Sequence, residues 1–317
     1  MKKRRVDWKG YWPAASTPFT RDGLIDEPAW RNLLRLYLQQ GVHGVLVNGT
    51  TGEWFAQTDG ERRKLAEIAV EELKGKIPVV VGCTTFTPRD TAELGRHAAS
   101  IGADGMLATP PPYAVPTDRE VLAFYRYVAD HVDLPIMVYN WARGTNVEIR
   151  GSLAVELAQI EGVVAFKDST ANKEQFLETL SAIVGSVLVF GGFIGGDGLA
   201  TLQTVGGAGS IDGGGLGAPM AVPFYEAVWR RDLTAARAHA QRYVQLMEQL
   251  INPDWSGVFG SPQAQLKAAM NILGQPGGFP RLPLLPVDDP ADVAGLRKVL
   301  QSAGLVADND ARQTRSA

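Results

Sequence analysis

Lys167 carries the chemistry most open to reading from the sequence. It closes the apolar run Val163-Val164-Ala165-Phe166 and is followed by Asp168-Ser169-Thr170. An ammonium in a strand buried on both faces loses its hydration, which is costly and favours the neutral amine. A neutral amine on a rigid strand is the nucleophile that Schiff-base chemistry requires. Two plainer readings stand beside it: a lysine at the strand's exposed end, or a structural ion pair with Asp168. Tyr139 ends the neighbouring run at 134–140, and its phenol can relay protons to a carbinolamine at Lys167. It reads equally as a half-buried aromatic with a satisfied hydroxyl. The segment Gly49-Thr50-Thr51-Gly52 presents successive backbone N–H groups and two hydroxyls just ahead of a helix. Such a nest suits a carboxylate or a phosphate, and a hydroxyl-capped turn uses the same residues. Glu53 reads as a brace for that loop.

Positioning these groups requires a regular frame, and the chain supplies one. Apolar runs at 10–17, 43–50, 77–85, 104–111, 134–140, 163–170, 187–193 and 208–215 alternate with amphipathic segments such as Glu27–Gln39, Asp59–Leu73, Pro88–Ile101 and Asp118–Val132. Thr87 and Thr117 stand where helix N-caps belong. Eight continuous strands linked by crossover helices predict an α/β fold, the (β/α)8 TIM barrel, over 8–232. Beyond it the strand signal stops. Leu233–Ile251, Pro262–Leu273 and Pro290–Leu305 predict a C-terminal three-helix appendage within 233–306, with a proline-rich connection before the last helix. Segments 1–7 and 307–317 read as tails, the second polar and unstructured. Active sites of such barrels lie at the C-terminal ends of the strands, where all the residues above fall.

Composition narrows the choice. With 31 Lys and Arg against 34 Asp and Glu, the net charge of −3 provides no basic field for nucleic acid or an anionic membrane. The single cysteine, Cys83, excludes an internal disulfide and any CxxC motif. No stretch has the length of a signal or a membrane span, so a cytoplasmic protein is expected. His43, His97, His131 and His239 are scattered away from the strand ends, so no metal is expected. The GxGxxA match at Gly213–Ala218 follows the eighth strand and not the first of a dinucleotide-binding unit. A phosphate site after strands seven and eight competes, although neither glycine cluster contains Lys or Arg.

Gly49-Thr50-Thr51-Gly52-Glu53, Tyr139-Asn140 and Lys167-Asp168-Ser169, at this spacing, resemble the dihydrodipicolinate synthase / N-acetylneuraminate lyase family of pyruvate-dependent class I aldolases. The resemblance runs from Ser16-Thr17-Pro18-Phe19 to Lys267-Ala268-Ala269-Met270 and its continuation through Gly274. It implies an imine between Lys167 and the keto group of pyruvate or another 2-oxo acid, with no cofactor beyond that covalent imine. It also implies that Thr50 and Thr51 hold the substrate carboxylate and that the backbones of Gly192 and Ile211 line the pocket. Tyr139 would shuttle protons, linked through Thr50 to a tyrosine from a neighbouring subunit of a homotetramer. Tyr113, in Thr109-Pro110-Pro111-Pro112-Tyr113, is the residue for that role, where the family has a Thr-Pro-Tyr-Tyr run. Synthases of the family use an arginine in Pro-Ser-Arg-Thr-Gly on the second substrate. Aligned on Thr145, that position is Gly144, and Arg143 stands one place early as the substitute. Trp141 and Asp212 further suggest a differently shaped pocket. The expectation is therefore a lyase or dehydratase acting on another 2-oxo acid, such as a 2-keto-3-deoxy sugar acid. Condensation of pyruvate with aspartate semialdehyde is second. A phosphate-binding barrel enzyme and a non-catalytic 2-oxo acid sensor are the alternatives of other classes.

Overall fold

Local signals in the sequence set most helix starts of the computed structural model, which describes residues 5–306. The side chain of Asp26 accepts from the Ala29 N–H at the start of α1 (Glu27–Gln39), and Thr87 accepts from Asp90 at the start of α3 (Pro88–Ile101). Thr58 and Glu61 form a reciprocal capping box on α2 (Asp59–Leu73). Glu120 reaches back to the Thr117 N–H, at 2.7 Å, ahead of α4 (Asp118–His131). Gly102, at φ +82, ends α3 in the left-handed conformation that a glycine adopts without strain.

Between these helices run β1 (Gly10–Ala14), β2 (Val45–Val47), β3 (Val79–Gly82), β4 (Gly105–Ala108), β5 (Ile136–Asn140), β6 (Val163–Asp168), β7 (Leu188–Phe190) and β8 (Gly209–Gly213). All pair in parallel, in chain order, and β8 closes on β1. The expected barrel is what forms. Its strands are shorter than the apolar runs, because at every strand but β5, which is trimmed at its start, the last residues of the run leave the ladder as loops. Trp12, Leu46, Leu107, Met137, Phe190 and Ile211 fill the interior. Trp8 packs edge-on to Trp12, with ring centroids 5.7 Å apart. A second apolar layer lies between strands and helices, including α6 (Gly151–Ala158), α7 (Lys173–Ile183), α8 (Gly196–Thr204) and α9 (Ala218–Trp229).

The ladder between β5 and β6 contains one irregularity. Ile136 pairs with Val163, yet Met137 pairs with Ala165, so Val164 is an extra residue in β6. Tyr139 then pairs with Lys167, and Asn140 with Asp168.

Beyond the barrel, α10 (Leu233–Glu248) packs on α9 and α8, and α11 (Pro262–Ile272) packs on α12 (Pro290–Ser302). These helices are shorter than expected at their C-termini. After Glu248, Gln249 and Leu250 donate to carbonyls three residues back, so a tight final turn replaces α-helix. A single turn, α5 (Ala142–Thr145), is additional to the eight-unit count. No helix among the described residues is long and apolar enough to cross a membrane. The first four residues and the 307–317 tail lie outside the described residues.

Candidate active site

Strand alternation after the extra residue turns Lys167 into the barrel, with Asp168 on the opposite face. Lys167 is only 7% exposed, and its Nζ lies 4.2 Å from the centre of the Tyr139 ring. A cation over a phenol face is attracted by the ring quadrupole. The ion pair with Asp168 weighed from the sequence does not form. Asp168 Oδ1 instead accepts from Asn140 Nδ2 and from the Thr170 N–H, each at 3.0 Å. Asn140 also takes the Ile149 N–H at 3.0 Å. Together they tie the ends of β5 and β6 from outside.

Burial raises the Asp168 carboxyl from 3.8 to about 6, against the pull of those two hydrogen bonds. A carboxyl raised in the folded state binds more protons there between those limits. Its contribution is therefore favourable at low pH and is lost as pH rises through about 6. The difference is worth up to roughly 3 kcal/mol. In Asp168→Asn the side-chain oxygen can still accept both bonds. Thermal melts from pH 4 to 7 should show a gain in stability at neutral pH and a flattened slope relative to the parent.

The loop after β2 faces the same open end. The Gly52 and Glu53 N–H groups close tight turns on Gly49 and Thr50, whereas those of Thr50 and Thr51 engage no acceptor among the described residues. Gln263 of α11 donates to the Thr50 carbonyl at 3.4 Å. Glu53 braces the loop, with a left-handed backbone (φ 60) and a fully buried side chain. Its carboxylate pairs with Lys267 of α11 and accepts the Arg281 N–H at 2.9 Å. Lys267 also donates to the Phe279 carbonyl at 2.8 Å and lies over the Phe19 ring. Burial lowers Lys267 to about 8, against the attraction of Glu53, so it is still charged at neutral pH. Arg281 in turn pairs with Glu61 at 2.8 Å.

Ile211 belongs to the same interior cluster as Tyr139, and Gly192 follows β7 with open space where a side chain would project. Three expected residues stand elsewhere. Tyr113 is 89% exposed with φ +75, on the loop after β4, and does not approach Lys167 of its own chain. No hydrogen bond joins Thr50 to the Tyr139 hydroxyl among the described residues, so the expected relay is not closed within one chain. Arg143 donates to the backbone carbonyl of Asp254 at 2.5 Å. Asp212 was expected to shape the pocket; its carboxylate instead takes the hydroxyl of Tyr243 on α10, in the layer outside the barrel. Strand alternation explains this, because Ile211 occupies the inward position.

Trp255 went unnoticed in the sequence. It lies in the loop between α10 and α11, and its ring packs edge-on against Trp141 at 6.4 Å. Nothing local marks it, since the contact spans more than a hundred residues. Lys267 did carry a signal, a lone cation within Leu266–Met270. Among the described residues, no three or more His, Cys, Asp and Glu side chains group as metal ligands.

A closed eight-stranded parallel barrel with a buried lysine at the end of its sixth strand defines the class: an α/β-barrel enzyme. Residues 7–303 match the model of the dihydrodipicolinate synthetase family. The chain belongs to this family and is a lyase of that kind. It is 34% identical over 299 residues to an uncharacterized DapA-like lyase of Rhizobium meliloti, covering 94% of this chain and 96% of that protein. It is 32% identical to the 4-hydroxy-tetrahydrodipicolinate synthase of Acidiphilium cryptum, covering 93% and 98%. Among solved structures, a prophage protein of Escherichia coli K12 from the dihydrodipicolinic acid synthase family, in complex with pyruvate, superposes with a TM-score of 0.87. The identity is 25%, over 95% of this chain and 100% of that one.

Proposed function

We propose that Lys167 forms an imine with pyruvate or a related 2-oxo acid and that the enzyme makes or breaks a bond at the adjacent carbon. The observation that carries this reading is the Lys167 amine, buried inside the barrel over the Tyr139 ring. The amine adds to the keto carbon, and loss of water from the carbinolamine leaves a protonated imine. In the cleavage direction the C3–C4 bond breaks, its electrons pass to the imine, and the C4 hydroxyl loses its proton as the aldehyde departs. Protonation of the resulting enamine and hydrolysis release pyruvate. The imine is itself the electron sink, so the scheme needs no metal or further cofactor. Tyr139 is the proton carrier next to the nitrogen. The free N–H groups of Thr50 and Thr51 suit the substrate carboxylate, and Gly192 and Ile211 bound the pocket.

A 2-keto-3-deoxy sugar acid is the favoured substrate type. Condensation of pyruvate with aspartate semialdehyde is the second reading, favoured by the name of the Acidiphilium cryptum relative. The hydrogen bond from Arg143 to Asp254 weighs against it, because that cation is already engaged. A single buried cysteine, Cys83, suits a cytoplasmic protein. The test is borohydride reduction in the presence of pyruvate, followed by peptide mapping. An adduct on Lys167 is expected; an unmodified Lys167 refutes the scheme.

In a homotetramer, Tyr113 completes a neighbouring subunit's site. The support is an aromatic side chain held almost wholly in solvent at a positive φ that bulky residues rarely adopt. Tyr113→Ala is expected to lose about 10²-fold or more in kcat, the usual scale for a positioned proton carrier. Mixing it with Lys167→Ala under subunit exchange should restore part of the activity, because mixed assemblies contain one complete site. No recovery would exclude a shared site.

A further inference from the structure

We propose that the remainder of the substrate, beyond its 2-oxo acid end, is an uncharged group with a flat apolar face, received by Trp141 and Trp255. This rests on the imine at Lys167 proposed above and specifies what that imine carries. Trp141 directly follows β5, and its ring stacks on Tyr139 with an interplanar angle of 19° and centroids 6.1 Å apart. The Tyr139 ring is the one beneath the Lys167 amine, so the aromatic wall begins at the nucleophile and leads outward.

Trp255 continues the wall from the appendage, with its plane at 85° to Trp141. Its loop is built to present it. Ser256 donates its N–H and its hydroxyl to Asp254 Oδ1, at 2.9 and 2.6 Å, and the Trp255 N–H bonds Asn252 at 2.9 Å. Trp255 itself is held at φ +65, where a bulky residue is strained, and stays 38% exposed. Such strain combined with an exposed indole is characteristic of a ligand contact and contributes nothing to a core.

Gly144 belongs to the same device. A Cβ at this position would stand 2.6 Å from both Cδ1 and Nε1 of the Trp141 indole. Any side chain at 144 displaces the ring, so the wall and a cation at position 144 are mutually exclusive. The one cation in 141–146, Arg143, is bound to the Asp254 carbonyl and fastens the Trp255 loop to α5. Toward β6, Glu148 accepts from the Thr170 hydroxyl at 2.7 Å and pairs with Arg150 at 3.8 Å, so Arg150 too is a cation already engaged. Indole faces receive an aryl ring or the C–H face of a polyol chain alike. The shared requirement is absence of charge.

Three 4-hydroxy-2-oxo acids distinguish the cases: one with a phenyl group at C4, one with a dihydroxyethyl group, and one with a carboxymethyl group. The readout is the concentration that half-saturates borohydride trapping on the enzyme, with pyruvate release followed in parallel. The phenyl or the polyol compound is expected to saturate at about tenfold lower concentration than the carboxymethyl compound. Which of the two leads decides between aryl and sugar substrates. Trp141→Ala and Trp255→Ala should each erode the preference through KM, and Trp141→Phe should retain it. Preference for the carboxymethyl compound, or a preference unchanged in both alanine variants, overturns the inference. Failure of wild-type enzyme to trap pyruvate overturns the Lys167 reading instead.

Discussion

Lys167→Ala is expected to lower kcat by about 10⁴-fold or more and to abolish borohydride-trapped pyruvate, with no loss of thermal stability. The rate effect follows from the chemistry, because without the amine there is no imine and no electron sink. The stability effect follows from the surroundings. Lys167 is nearly buried and faces the Tyr139 ring, with no carboxylate paired to it among the described residues. Removing a desolvated amine of this kind relieves a cost, so the melting temperature should hold or rise. Lys167→Arg separates charge from nucleophilicity. It keeps a cation, cannot form the imine at neutral pH, and should be as inactive as the alanine variant. Steady-state kinetics, mass spectrometry and calorimetry on the three proteins check the prediction. Retained turnover in either variant would remove Lys167 from the mechanism.

The largest stability effect is expected away from the nucleophile, at Lys267. Lys267→Met leaves the Glu53 carboxylate buried without its cation, and breaking a pair of this kind costs about 3–5 kcal/mol. For a chain of this size the melting temperature should fall on the order of 10 °C. Glu53→Gln should cost a similar amount. The double variant should cost much less than the sum, because the two changes remove one interaction. Activity should report the same event as a raised KM for the 2-oxo acid, since Glu53 directly follows the Thr50–Gly52 turn. An additive double variant would show that the two side chains act separately. An unchanged KM would show that the loop holds its shape without them.

The frame was largely legible in the sequence. Its eight apolar runs and the amphipathic segments between them carry their own periodicity, and Thr87 caps α3 where an N-cap was expected. Lys167 and Tyr139 were legible for a related reason: a lysine and a phenol stand out at the ends of the apolar runs Ile136-Met137-Val138 and Val163-Val164-Ala165-Phe166. Arg143 and Asp212 show where such reading stops. Each was placed near the substrate by its type and its neighbours, whereas its partner, Asp254 or Tyr243, comes from remote sequence. Trp255 was invisible for the same reason, since an indole in a loop acquires meaning only from what crosses it in space. Glu53 was legible as a brace, but the identity of its counter-ion in α11 was not.

The extra residue at Val164 has a consequence for how such a catalyst can change. Side chains of a strand alternate, so one residue more or fewer in a regular ladder exchanges its two faces, but an unpaired residue absorbs such a change. With Val164 deleted, Val163 on Ile136 and Ala165 on Met137 would form a regular ladder, and Lys167 would keep its inward place opposite Tyr139. Length at this position is therefore freer than identity at Lys167, and a chain one residue shorter here should keep both its nucleophile in the barrel and its reaction type.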